Sequence, residues 1–117
     1  KNQPVAFQTR LESQSETTSP EELIAAAHAT CYAMSLSNTM SSNGHSPERI
    51  EVNATCYLER TENGLVIKRM LLEASGKANR LDNETFAQLA QKAEQRCPVS
   101  NALRGSVDIE VKTAVMA

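Results

Sequence analysis

The sequence predicts an α+β domain with an antiparallel sheet, and three features carry that expectation. Residues Ile50, Val52, Ala54, Cys56 and Leu58 alternate with Glu51, Asn53, Thr55, Tyr57 and Glu59, the period-two pattern of a half-buried strand. A second run, Leu65 to Ser75, carries Val66, Met70, Leu72 and Ala74 on one face. Between the two, Glu62-Asn63-Gly64 marks a hairpin, with Asn63-Gly64 favouring a type I′ turn. The third feature is LIAAAHATCYAMSL, residues 23–36, which is too apolar on every side for a surface helix.

In chain order, Val5 to Leu11 reads as a first strand, followed by the polar loop ESQSETT. The central helix then opens on Ser19-Pro20-Glu21-Glu22. Ser19 suits the N-cap, Pro20 the first helical position, and Glu22 closes a capping box at N3. Gly44 supplies the stop. A helix so apolar around its circumference must be covered on all sides, which one small layer can hardly provide. After the hairpin, Asp82 or Asn83 caps a second helix through Phe86, Leu89, Ala90 and Ala93, ending near Arg96. Pro98 opens a short third helix over Val99 to Leu103. Val107, Ile109 and Val111 alternate with Asp108, Glu110 and Lys112 in a last strand, completing the order β-α-β-β-α-α-β.

The 117 residues suffice for one domain with one core, spanning residues 1–117. A formal net charge of −2 excludes a basic footprint for nucleic acid or anionic lipid. Two Tyr, two Phe and no Trp leave no platform for stacking bases. The apolar run, broken by His28, Ser35 and Ser37, is too short to cross a bilayer. No apolar h-region follows the opening residues. The chain starts at Lys1, without methionine, and enters an apolar stretch at once, so further residues are expected upstream.

Three cysteines are an odd count without the density of a secreted disulfide scaffold, so a reducing cytoplasmic setting is expected. Cys31 sits within the apolar run and Cys97 directly precedes Pro98. On residues alone, these are either two inert thiols or a redox pair. Cys56 falls on the apolar face of its strand and reads as inert. Lys68, Arg69 and Arg80 read as solvated surface charges.

SPEELIAAAHATCYAMSLS, followed at long range by CPVSNAL, closely resembles the OsmC/Ohr family of osmotically inducible and organic-hydroperoxide-resistance proteins. The OsmC branch is the nearer one. FQTR resembles the segment bearing that family's active-site arginine, and the likeness runs from Phe7 to Val111. It implies the OsmC-like fold, an intertwined homodimer with two interfacial sites, and a thiol peroxidase reducing organic hydroperoxides in oxidative or osmotic stress defence. By position, Cys31 matches the peroxide-attacking cysteine, Cys97 the resolving one, Arg10 the active-site arginine and Glu21 its acidic partner. No bound cofactor is implied beyond an external dithiol reductant, for which a lipoyl-type dithiol is a candidate. A strand pair that precedes FQTR in the family is missing from this sequence.

Peroxide attack requires a thiolate at Cys31, yet burial raises a thiol pKa. Cys31 is about twelve residues into its helix, beyond reach of the macrodipole, so Arg10 is the expected source of positive charge. Cys97, as N-cap before Pro98, would face free amides, and local electrostatics alone would nominate it as nucleophile. The resemblance makes it the resolving thiol instead, and a low-pKa thiol is a good leaving group. Glu22 has a full role in the capping box, whereas Glu21 has none. Ten residues of helix put Glu21 roughly 15 Å from its own Cys31, so a shared site would draw Glu21 from a partner subunit.

His28, three residues before Cys31, has the spacing of a helical metal pair. Without a CxxC or a second nearby histidine, it reads as a hydrogen-bonded core residue, and no metal is expected. The rival to a peroxidase is a non-enzymatic, redox-linked module on the same fold, binding an apolar ligand.

Overall fold

The computed structural model describes residues 5–7 and 19–116. Its elements are β1 (Val5–Phe7), α1 (Pro20–Ser42), β2 (Pro47–Thr61), β3 (Gly64–Ala78), α2 (Asn83–Arg96), α3 (Pro98–Leu103) and β4 (Asp108–Val115). The order matches the sequence expectation. The remainder of the first expected strand, including Arg10, lies outside the described residues.

α1 starts as its sequence dictates. The Ser19 hydroxyl accepts from the Glu22 N–H at 3.1 Å, and the Glu22 carboxylate accepts from the Ser19 N–H at 3.0 Å. Its end is a Schellman closure: Gly44, at φ 85°, donates to Ser41, and His45 donates to Met40. The helix is unbroken over 23 residues.

The sheet order is β1-β2-β3-β4. β2 and β3 form the expected antiparallel hairpin, each 15 residues long. Both flanking strands, however, pair in parallel, β1 with β2 and β4 with β3, so the sheet is mixed rather than wholly antiparallel. The cause is the connections. α1 intervenes between β1 and β2, and α2-α3 between β3 and β4, and a chain carried back by a crossover enters its next strand in the same direction. The hairpin turn also differs from type I′. Thr61 pairs with Gly64, so Glu62 and Asn63 are the central residues, and neither has the positive φ that type I′ needs at both; Gly64, at φ 106°, already belongs to β3.

One core joins the helices to one sheet face. Val52, Ala54 and Cys56 of β2 and Met70, Leu72 and Ala74 of β3 meet Ala25, Ala29, Tyr32, Leu36 and Met40 of α1 and Phe86, Leu89, Ala90 and Ala93 of α2. Small residues let α1 lie close to the sheet. Gly76 does the same for α2: a Cβ there would sit 2.8 Å from the Phe86 ring.

On the other face of the sheet, the Arg69 guanidinium stacks 3.9 Å from the Tyr57 ring and pairs with Glu110 at 3.0 Å. Arg69 is therefore an organised, half-buried cation rather than a freely solvated one. The described residues do not cover α1 completely. Leu23 and Met34 are 59% and 58% exposed, and Ala27 and Thr30 between them are exposed too. These positions fall on one helical stripe. Among the described residues, no helix is long and apolar enough to cross a membrane.

Candidate active site

The two motif cysteines meet. Cys31 projects from the middle of α1 and Cys97 sits at the elbow between α2 and α3, their sulfurs 3.4 Å apart. Pro98 makes the elbow. It has no N–H to extend α2 and restricts the preceding residue to extended backbone, and Cys97 has φ −76° and ψ 118°. The chain restarts at once as α3, with the Asn101 N–H donating to the Cys97 carbonyl at 2.9 Å.

Three side chains of α1 hold this elbow in place. The Tyr32 hydroxyl donates to the Ala90 carbonyl at 2.9 Å and the Ser35 hydroxyl to the Ala93 carbonyl at 2.8 Å. His28 Nε2 meets the Ser100 hydroxyl at 2.7 Å, both residues fully buried. Since His28 is three residues before Cys31 and Ser100 three after Cys97, this pair sets the two cysteines side by side. Arg104 clamps the elbow from outside, reaching the Glu94 carboxylate at 2.6 Å, the Glu94 carbonyl at 3.1 Å and the Asn101 side chain at 2.6 Å.

Exposure separates the thiols. Cys97 is fully buried, whereas Cys31 is half-buried and opens onto a pocket of about 440 Å³. Met34, Ser35, Asn38, Thr39, Arg96 and Pro98 complete its lining. An incoming molecule therefore meets Cys31 first.

The electrostatics differ from the sequence expectation in one respect. Cys97 caps α3 by position, but its side chain makes no capping hydrogen bond. The amide that was expected to favour Cys97 acts on Cys31: the Val99 N–H lowers the Cys31 pKa. Burial outweighs it, and with the neighbouring Cys97 it leaves the Cys31 thiol raised above its ordinary value. A further positive charge is needed for a thiolate at neutral pH, the place at which the sequence reading set Arg10.

Glu21 is not brought to Cys31 within the chain. The uninterrupted α1 keeps the two about 15 Å apart along its axis. The charge of Glu21 instead reaches Cys56, whose pKa is pushed up to about 11, by burial first and by Glu21 second. Cys56 is fully buried in the sheet, remote from both motifs in sequence. His28 is held neutral, its pKa lowered to about 4 by burial and then by Arg104. Among the described residues, no three His, Cys, Asp or Glu side chains gather as a metal site.

Sequence reasoning missed Arg96, Ser100 and Arg104. Arg96 read only as the end of a helix, and Arg104 has no motif of its own. Ser100 could have been found, since CPVS repeats the three-residue spacing of HATC.

Fold and site together define a small α+β dithiol protein whose paired cysteines lie on two motifs 66 residues apart in sequence. The chain belongs to the OsmC-like protein family, whose model matches residues 13–112. It is 36% identical over 108 residues to peroxiredoxin OsmC of Escherichia coli K12, covering 92% of this chain and 75% of that protein. It is 32% identical over 96 residues to organic hydroperoxide resistance protein-like 2 of Staphylococcus epidermidis, covering 80% and 66%. The crystal structure of an organic hydroperoxide resistance protein from Elizabethkingia anophelis superposes with a TM-score of 0.78 at 26% identity, over 87% of this chain and 71% of that one.

Proposed function

We propose that this protein is a thiol peroxidase that reduces organic hydroperoxides, with Cys31 as nucleophile and Cys97 as resolving cysteine. The observation that carries the reading is the 3.4 Å approach of a half-exposed Cys31 to a fully buried Cys97 at the floor of a pocket. The names of its relatives, a peroxiredoxin and a hydroperoxide resistance protein, point the same way.

The Cys31 thiolate attacks one oxygen of the O–O bond. The S–O bond forms, the O–O bond breaks, and the alkoxide leaves as an alcohol after taking up a proton. Cys31 is then a sulfenic acid. The Cys97 sulfur, already in contact, displaces its hydroxyl as water and forms the disulfide, near 2.05 Å, after about 1.4 Å of further approach. An external dithiol, lipoyl-type being a candidate, reduces the bridge in two exchange steps and is itself oxidised to a disulfide. Cytoplasmic operation suits that reductant. Arg10 supplies the positive charge that burial makes necessary.

The functional unit is a homodimer. The bare stripe of Leu23, Ala27, Thr30 and Met34 on α1 is the surface a second copy would cover, and Glu21 reaches Cys31 from that copy. Met34 and Pro98 in the pocket wall favour alkyl or lipid hydroperoxides over hydrogen peroxide.

Steady-state consumption of cumene hydroperoxide with dihydrolipoamide tests the reading. Sustained turnover, lost in Cys31→Ser, is expected. A single stoichiometric oxidation with no turnover under any dithiol would favour a redox-switched binding module instead.

A further inference from the structure

Cys97 is held from both sides along the chain. Four residues before it, the Ala93 carbonyl accepts from the Ser35 hydroxyl at 2.8 Å. Three residues after it, the Ser100 hydroxyl meets His28 Nε2 at 2.7 Å. On α1 the order is reversed: His28 precedes Cys31 by three residues and Ser35 follows it by four. The two anchors therefore bracket the pair of sulfurs. Among the described residues, His28–Ser100 is the one side-chain hydrogen bond that ties α1 to α3. The other side-chain bonds there run from Arg104 to Asn101 and to Glu94 of α2, and hold no part of α1.

Packing by itself does not require a histidine at this joint. His28 and Ser100 are both fully buried, and His28 Nδ1 has no hydrogen-bond partner among the described residues. A bare buried nitrogen costs stability, and an apolar pair of similar shape would fill the joint without that cost. Cys97 in turn takes no position from its own helix, since its side chain makes no capping bond. What fixes its sulfur 3.4 Å from that of Cys31 is how α3 sits on α1.

We propose that His28 and Ser100 are positioning residues for the resolving step, and that their hydrogen bond sets how often the nucleophile is lost to overoxidation. That consequence rests on the peroxidase reading; the positioning itself does not. In closure, the Cys97 sulfur attacks the Cys31 sulfenic acid. The S–S bond forms, the S–O bond breaks, and the hydroxyl leaves as water with the Cys97 proton. The competing step needs a second hydroperoxide, which oxidises the sulfenic acid to sulfinic acid and is itself reduced to the alcohol. Closure is unimolecular and depends steeply on position, a misplacement of about 1 Å costing on the order of a hundredfold. Overoxidation makes no such demand on Cys97. The bond between α1 and α3 therefore biases the partition toward the disulfide.

Glutathione disulfide tests the positioning without an O–O bond. It forms a mixed disulfide at Cys31, which Cys97 then displaces, releasing glutathione. The closure rate is read by acid quench and mass spectrometry, alongside urea unfolding of the reduced protein. His28→Leu and Ser100→Ala should each slow closure about tenfold or more. The double variant His28→Leu/Ser100→Ala leaves no bare polar group at the joint. It should regain most of the stability lost in Ser100→Ala and still close slowly. His28→Gln, whose amide can donate to Ser100 from about the place of Nε2, should restore most of the rate. Under cumene hydroperoxide with dihydrolipoamide, the sulfinic fraction of Cys31 per turnover should rise in step with the slowing. Native-rate closure in the double variant, slowing that merely follows stability across the set, or a glutamine no better than leucine would each overturn the positioning role. An unchanged sulfinic yield beside slow closure would overturn its consequence for overoxidation. The expected closure rates in a set whose native member consumes no hydroperoxide would overturn the peroxidase reading alone.

Discussion

At the residue scale, the site turns on which sulfur is reached first. Cys31→Ser should abolish peroxide consumption, because serine offers no thiolate. Cys97→Ser should still permit one oxidation, detected by mass spectrometry as a Cys31 sulfenic acid that proceeds to the sulfinic form. The reverse pattern would exchange the roles. Oxidation of the native protein should bridge Cys31 to Cys97 and leave Cys56 alkylatable after denaturation, since Cys56 is buried in the sheet and its thiol is held protonated up to about 11. His28 carries a pH signature. Its folded pKa of about 4 lies below the ordinary 6.5, so the unfolded chain binds the proton more readily. The contribution of neutral His28 is complete above about pH 6.5 and is lost as pH falls toward 4, by up to about 3 kcal/mol. Urea unfolding at intervals from pH 7 to pH 4 should show that decline, and His28→Gln should flatten it.

At the scale of elements, two joints hold the site. The first is the start of α1, where Ser19→Ala removes one half of the capping box and should cost about 1 kcal/mol by denaturant unfolding. The second is the seat of α2 on the sheet. Gly76→Ala would place a methyl 2.8 Å from a fully buried Phe86 ring that has no room to retreat, and should destabilise by about 1–3 kcal/mol. Because α2 delivers Cys97 from its C-terminal end, that variant should also slow disulfide closure at equal protein concentration, which a stopped-flow thiol assay can read. A core substitution that lowered stability without changing closure would show that the hydrogen bonds of Tyr32, Ser35, His28 and Arg104 suffice to hold the elbow.

At the scale of the whole molecule, the proposed second subunit would account both for the bare stripe on α1 and for the distance from Glu21 to Cys31. Two inactive variants should then complement. Glu21→Ala subunits mixed with Cys31→Ser subunits under exchange conditions should recover about a quarter of native activity, since half the dimers are mixed and each has one intact site of two. Heterodimers that form but regain nothing would assign Glu21 to a role in its own chain, beside Cys56.

What the sequence alone determined is local. The capping box, the Gly44 stop, the alternating hairpin strands and the Pro98 elbow each depend on a few neighbouring residues, and each stands within a few positions of where it was read. The two cysteine motifs were legible as a resemblance, though nothing local to either one requires that their sulfurs meet. Tertiary structure decided the rest. Strand direction follows from the crossover helices, so the parallel pairing of β1 and β4 had no signal in their own alternation. The Val99 amide acts on Cys31 rather than on its neighbour Cys97 because α1 crosses the front of α3. Arg96 joins the pocket for the same kind of reason: its sequence neighbours describe a helix end, while Thr39 and Asn38, which line the same pocket, lie 57 and 58 residues away in the chain. Capping and turn geometry act between adjacent residues and can be read from a string, whereas charge, burial and shape act through space and exist only once the chain has folded.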